Sequence, residues 1–86
     1  MEINSLIKIL KEKLTKKIKI NNITIEDKSF LHKKHQNFDK DKFHIKLTIE
    51  SSELRKISSN EANRKIYDVL KDEMNRRIHS LQITIV

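Results

Sequence analysis

The chain contains no cysteine, no glycine, no proline and no tryptophan. Without cysteine it forms no disulfide, no thiolate zinc site and no cysteine nucleophile. Nor can it hold an iron–sulfur cluster by its own sulfur. Without glycine it has neither of the common Gly-rich phosphate-cradling loops. Aromatic residues number four, Phe30, Phe38, Phe43 and Tyr67, too few for an evident base-stacking platform. No apolar run approaches the ~20 residues that cross a bilayer. The segment from Met1 to Lys17 lacks both the continuous apolar stretch and the small-residue cleavage site of a secretory signal, so a cytoplasmic location without membrane association is expected. At 86 residues there is room for a single domain, 1–86, and not for a barrel enzyme or a doubly wound nucleotide fold.

What the chain has in plenty is positive charge. The formal net charge is +7, and it is unevenly placed. Lys8 to Lys19 carries six lysines against Glu12 alone, and Lys28 to Lys46 carries six against Asp39 and Asp41. From Leu47 onward seven basic residues face six acidic ones. The basic first half suits nucleic acid, anionic lipid or an acidic protein partner. A Lys-, Ile- and Asn-rich composition also arises from AT-rich codon usage with no selected partner.

Ile3, Leu6, Ile7, Leu10 and Leu14 recur at helical offsets, predicting a first helix from about Ile3 to Lys16. A strand is expected near Asn22 to Asp27, after an Asn21-Asn22 turn in which asparagine takes the left-handed conformation. Lys28 to Lys42 reads as a loop. Phe43, Ile45, Leu47 and Ile49 then alternate with His44, Lys46, Thr48 and Glu50, a strand with one wet face. Ser51 to Ile57 reads as a short helical turn. Ser58-Ser59-Asn60-Glu61 is a capping box opening a second long helix that runs to Arg77, with Glu61–Lys65, Asp72–Arg76 and Glu73–Arg77 as outer ion pairs. Leu81, Ile83 and Ile85 alternate with polar residues in a last strand. The order predicts an α+β fold: a three-stranded mixed sheet with helices on one face and a short extra helical turn.

No catalytic constellation stands out. The seven serines are scattered, none shares a local motif with His and Asp, and Glu26-Asp27 reads as a strand-end pair, so enzyme activity is not expected. The histidines are the main chemical resource. His79 lies where the second long helix meets the last strand, and His32 and His35 lie in the loop, so two imidazoles from these elements would suit one iron, zinc or copper ion. His79 also suits a purely structural place at a helix end. His44, at the start of its strand, reads as packing against that helix end.

Asp27-Lys28-Ser29-Phe30-Leu31-His32, the run from His44 to Leu54 (a strand, then Ser51-Ser52-Glu53-Leu54), Asn63-Arg64-Lys65-Ile66-Tyr67 and Ile78-His79-Ser80-Leu81 follow one another in order. Together they resemble the BolA family, with the stretch from His44 to Leu81 matching without a gap. That resemblance implies a class II KH-like fold lacking the Gly-x-x-Gly loop that grips nucleic acid. It also implies pairing with a monothiol glutaredoxin carrying Cys-Gly-Phe-Ser, and a shared [2Fe–2S] cluster. The matching ligands are His79 and a loop histidine, His32 by register or else its neighbour His35, with thiolates from the partner and from glutathione. Alone, the protein is expected to hold no cofactor and to be a monomer or weak homodimer. Two imidazoles and two thiolates form a Rieske-type set, whose potential lies above that of an all-thiolate cluster. Imidazole must lose its proton to bind, so the cluster should loosen as pH falls.

Some BolA-like proteins regulate transcription, which implies a second role in DNA binding. The candidate contacts are then Lys33, Lys34, Lys40 and Lys42, with Arg64 as the remnant of the family's Arg-His-Arg helix. Lys56 replaces a family glycine and Ala62-Asn63 replace the first two residues of that helix motif, which weakens any function resting on the helix. A third reading is a scaffold whose basic first half docks an acidic protein.

Overall fold

The computed structural model describes residues 2–29 and 42–86. The loop positions His32, Lys33, Lys34, His35 and Lys40 lie outside the described residues. The elements are α1 (Ile3–Lys17), β1 (Asn22–Asp27), β2 (Phe43–Glu50), α2 (Ser52–Arg55), α3 (Ser59–Val69), α4 (Lys71–Arg76) and β3 (Ile78–Ile85). The sheet order is β1-β2-β3, with β1 antiparallel and β3 parallel to β2. This is the mixed three-stranded α+β architecture that the residue pattern predicts.

The period-2 alternation decides which face is covered. Ile23 and Ile25 stand beside Ile49 and Leu47, and Leu81, Ile83 and Ile85 beside Ile45, Leu47 and Ile49. Leu6, Leu10 and Leu14 of α1, Leu54 of α2, and Ala62 and Ile66 of α3 complete one cluster with Ile45, Leu47 and Ile49, each at most 2% exposed. Both long helices therefore lie on the same face of the sheet. Thr24, Lys46, Thr48, Gln82 and Thr84 fall on the other.

The corner between β2 and α2 is pinned to the segment after α1. Ser51 is fully buried, donates its hydroxyl to the Lys19 carbonyl at 2.6 Å and accepts from the Leu54 N–H at 3.2 Å. Glu53 accepts from the Lys19 N–H, and Asn21 Oδ1 accepts from the Ser52 N–H. These side-chain bonds replace the expected left-handed turn: among the described residues no non-glycine residue has positive φ. Asn21 and Asn22 satisfy neighbouring amides with their side chains instead, Asn22 capping the Ile23 N–H.

The second long helix is interrupted. α3 ends at Val69, Leu70 has φ −99° and ψ 17°, and α4 resumes at Lys71. The change of direction keeps Leu70 fully buried and turns Glu73 inward to meet Lys13 of α1 at 2.8 Å. The expected Glu73–Arg77 pair is thereby lost. Lys65 likewise lies nearest Glu53 of α2, at 3.9 Å, rather than Glu61, and Asp72–Arg76 forms no ion pair. Long-range partners win because an exposed i,i+4 pair contributes only a few tenths of a kcal/mol. The cap itself forms: Ser58 Oγ accepts from the Glu61 N–H at 3.1 Å.

Candidate metal-ligating site

The site grows from an irregularity between β2 and β3. Phe43 stands opposite Ile78, but His44 stands opposite Ser80. His79 therefore has no facing residue. An extra residue on one strand is a β-bulge, which breaks the local ladder and re-aims a side chain. The sheet is anchored just before it, where the Phe43 N–H donates to the Arg77 carbonyl at 2.8 Å. The result is an exposed imidazole at the mouth of β3, held on regular structure at both sides.

His44 supplies the floor. Its side chain lies on the polar face of β2, yet the residue is only 8% exposed. Its Nδ1 is 2.6 Å from Ser80 Oγ, and its ring centroid is 4.8 Å from that of His79 at a 45° tilt. The His44 N–H donates to Ser29 Oγ, while the Ser29 N–H donates to Asp27 Oδ1. The His44 carbonyl accepts from the Lys28 N–H at 2.7 Å. His44 is thus fixed through its backbone and its ring, and His79 rests against it.

A protruding imidazole backed by a second, buried one suits a borderline metal such as iron or zinc. His79 fits the role of one nitrogen ligand. Among the described residues no group of three or more His, Cys, Asp or Glu side chains converges on a metal position. His79 and His44 alone would not complete a ligand set.

Of the remaining sequence candidates, Lys42 precedes Phe43 and so lies at the His79 end of the sheet. Arg64 is exposed midway along α3, with no ion pair to any described residue. A groove of about 390 Å³ between α1 and α3 is lined by Lys13, Lys16, Lys17, Asp68 and Val69 and includes none of the candidate residues. Sequence reading placed His79 at a helix–strand junction but did not foresee the bulge, because a single unpaired residue leaves the hydrophobic alternation of the strand intact. It set His44 on the polar face without the Ser80 bond that buries it.

Comparison with known proteins gives the lineage. A family model described as BolA-like protein matches residues 14–86. A protein of Haemophilus influenzae named DNA-binding transcriptional regulator BolA is 30% identical over 79 residues, covering 92% of this chain and 74% of that protein. The UV-induced protein uvi31 of Schizosaccharomyces pombe is 33% identical over 75 residues, covering 83% of this chain and 74% of that protein. Among solved structures, the BolA domain of SufE1 from Arabidopsis thaliana superposes with a TM-score of 0.74 at 33% identity, covering 88% of this chain and 84% of that one. BolA1 from the same plant gives 0.74 at 26% identity, covering 88% and 83%. Strand order, the matched span and the unbroken run of motifs from His44 to Leu81 agree, and the chain belongs to the BolA-like protein family.

Proposed function

We propose that this protein is a partner of a monothiol glutaredoxin in iron–sulfur cluster assembly, trafficking or sensing, and that it contributes His79 as a nitrogen ligand to a bridged [2Fe–2S] cluster. The observation that carries the reading is the exposed His79 imidazole on the β3 bulge, backed by the buried His44 ring. The chain has no thiolate of its own, so the sulfur ligands come from the glutaredoxin cysteine and glutathione. The cluster supplies electron-transfer and iron–sulfur delivery chemistry. This chain's part is to present an imidazole, and His32 or His35 provides the second nitrogen. Ser80 holds His44, and His44 limits the tilt of the His79 ring.

The test mixes the protein with a Cys-Gly-Phe-Ser glutaredoxin, glutathione, ferrous iron and sulfide without oxygen, and records visible circular dichroism. A spectrum distinct from that of the glutaredoxin alone, reverting with His79→Ala, is the expected result. His32→Ala and His35→Ala then identify the second ligand. A wild-type spectrum identical to that of the glutaredoxin alone refutes the reading.

A second reading, DNA binding in transcriptional regulation, is favoured by the name of the Haemophilus relative. Its contacts would be Lys33, Lys34, Lys40 and Lys42, with Arg64 subsidiary. Binding through phosphates weakens steeply with salt. Replacing the four lysines by serine should lower affinity and flatten the salt dependence in a DNA titration; unchanged affinity removes these residues from the account.

A further inference from the structure

We propose that the outer edge of β3 is a self-association surface, on which a second copy of this chain pairs antiparallel with its own β3, centred on Ile83. The inference is independent of the cluster reading, since the paired stretch runs from Leu81 to Ile85 and leaves His79 outside it.

The direction of the backbone groups is fixed by two bonds. The Val86 N–H donates to the Ile49 carbonyl at 2.9 Å, so even-numbered residues of β3 face β2. Successive residues alternate, so the N–H and C=O of Leu81, Ile83 and Ile85 face outward. Tyr67 Oη, which donates to the Leu81 carbonyl at 3.3 Å, confirms the direction, and that carbonyl keeps a second lone pair. Among the described residues nothing else meets these outward groups.

Edge strands ordinarily carry charges or prolines that deter pairing. The opposite edge, β1, does: it ends in Glu26-Asp27, and Lys28 lies 3.3 Å from Glu26. β3 does not. From Ile78 to Val86 there is no charged residue and no proline. α1 packs mainly with β1 and α3.

The occupant follows from self-complementarity. With Ile83 facing the partner's Ile83, Leu81 faces the partner's Ile85, and each outward-facing pair exchanges both its hydrogen bonds. All these side chains lie on the helix-covered face, so the partly buried Leu81, Ile83 and Ile85 extend one apolar stripe across both copies. On the open face, exposed Gln82 meets the partner's Thr84. One strand edge buries little area, so the association is reversible and concentration-dependent.

Sedimentation equilibrium from micromolar to millimolar protein tests this. Wild type should shift from monomer towards dimer mass as concentration rises. The double variant Gln82→Lys/Thr84→Lys places like charges opposite each other and should stay monomeric. Gln82→Glu/Thr84→Lys places opposite charges there and should dimerise at least as well as wild type. Both positions are exposed, and far-ultraviolet circular dichroism checks that each variant is folded. A wild type that stays monomeric throughout overturns the proposal. So does a dimer indifferent to both variants, which would be built on another surface, or a charge-swapped variant that behaves like the doubly basic one.

Discussion

His79 and Ser51 show two opposite ways for a polar side chain to matter. His79 is exposed and supports nothing above it, so His79→Ala should change unfolding free energy by no more than about 0.5 kcal/mol in a urea titration. Its loss should be felt in ligand chemistry alone. Ser51 is buried and bonded at both of its hydrogen-bonding roles. Ser51→Ala leaves the Lys19 carbonyl and the Leu54 N–H without partners and should cost about 1–3 kcal/mol by the same titration. Lys13 and Glu73 form a third case. The pair is close, at 2.8 Å, but Glu73 is mostly buried, and its Oε1 has no partner among the described residues. Glu73→Met should therefore be near neutral or stabilising, whereas Lys13→Met, which strands the carboxylate, should be destabilising by about 1–2 kcal/mol. The partial exposure of Lys13 keeps this below the cost of breaking a fully buried pair. Equal destabilisation by the two variants would contradict this.

At the scale of elements, the hydrophobic period told most. Leu6, Leu10 and Leu14 marked α1, and Ile45, Leu47 and Ile49 marked the central strand, because burial on one face imposes a period that few other sequences share. Ser58 and Glu61 marked the start of α3. The break at Leu70 was not legible: Val69, Leu70 and Met74 continue a helical face, and no glycine or proline punctuates it. Tertiary packing, with Leu70 buried and Glu73 reaching Lys13, decides that break. The bulge at His79 was equally hidden, since it depends on how β3 meets β2 and not on local preference. The candidate site was thus read as a residue, His79, but not as a geometry. The geometry assigns His44 a positioning role that can be tested at this scale. His44→Ala removes both the ring beneath His79 and the Ser80 bond, and should broaden the His79 imidazole resonances and lower binding of a single divalent metal without unfolding the sheet. Unaltered His79 resonances would remove His44 from that role.

Charge is unevenly placed among the elements of the described residues. α1 carries Lys8, Lys11, Lys16 and Lys17 exposed, whereas β3 is uncharged from end to end. The core between them centres on Leu47, which is fully buried beneath both helices. Leu47→Ala should cost about 2–5 kcal/mol and lower the thermal midpoint accordingly, since it opens a cavity where α1, α3 and the sheet meet. The division of charge separates the functional readings. A surface that binds phosphates would be lost with salt, while an imidazole ligand would not. The exposed imidazole stands at the end of the sheet, on β3, and not on the lysine-rich helix.

Whether His79 donates nitrogen to a shared cluster is decided by isotope labelling. The chain is produced with ¹⁵N-histidine, assembled with unlabelled monothiol glutaredoxin, glutathione, iron and sulfide, and reduced. Pulsed electron paramagnetic resonance then looks for ¹⁵N hyperfine coupling. Strongly coupled ¹⁵N from this chain is expected, with the His79 contribution absent in His79→Ala. A cluster signal without ¹⁵N coupling, or one unchanged by His79→Ala, would contradict it.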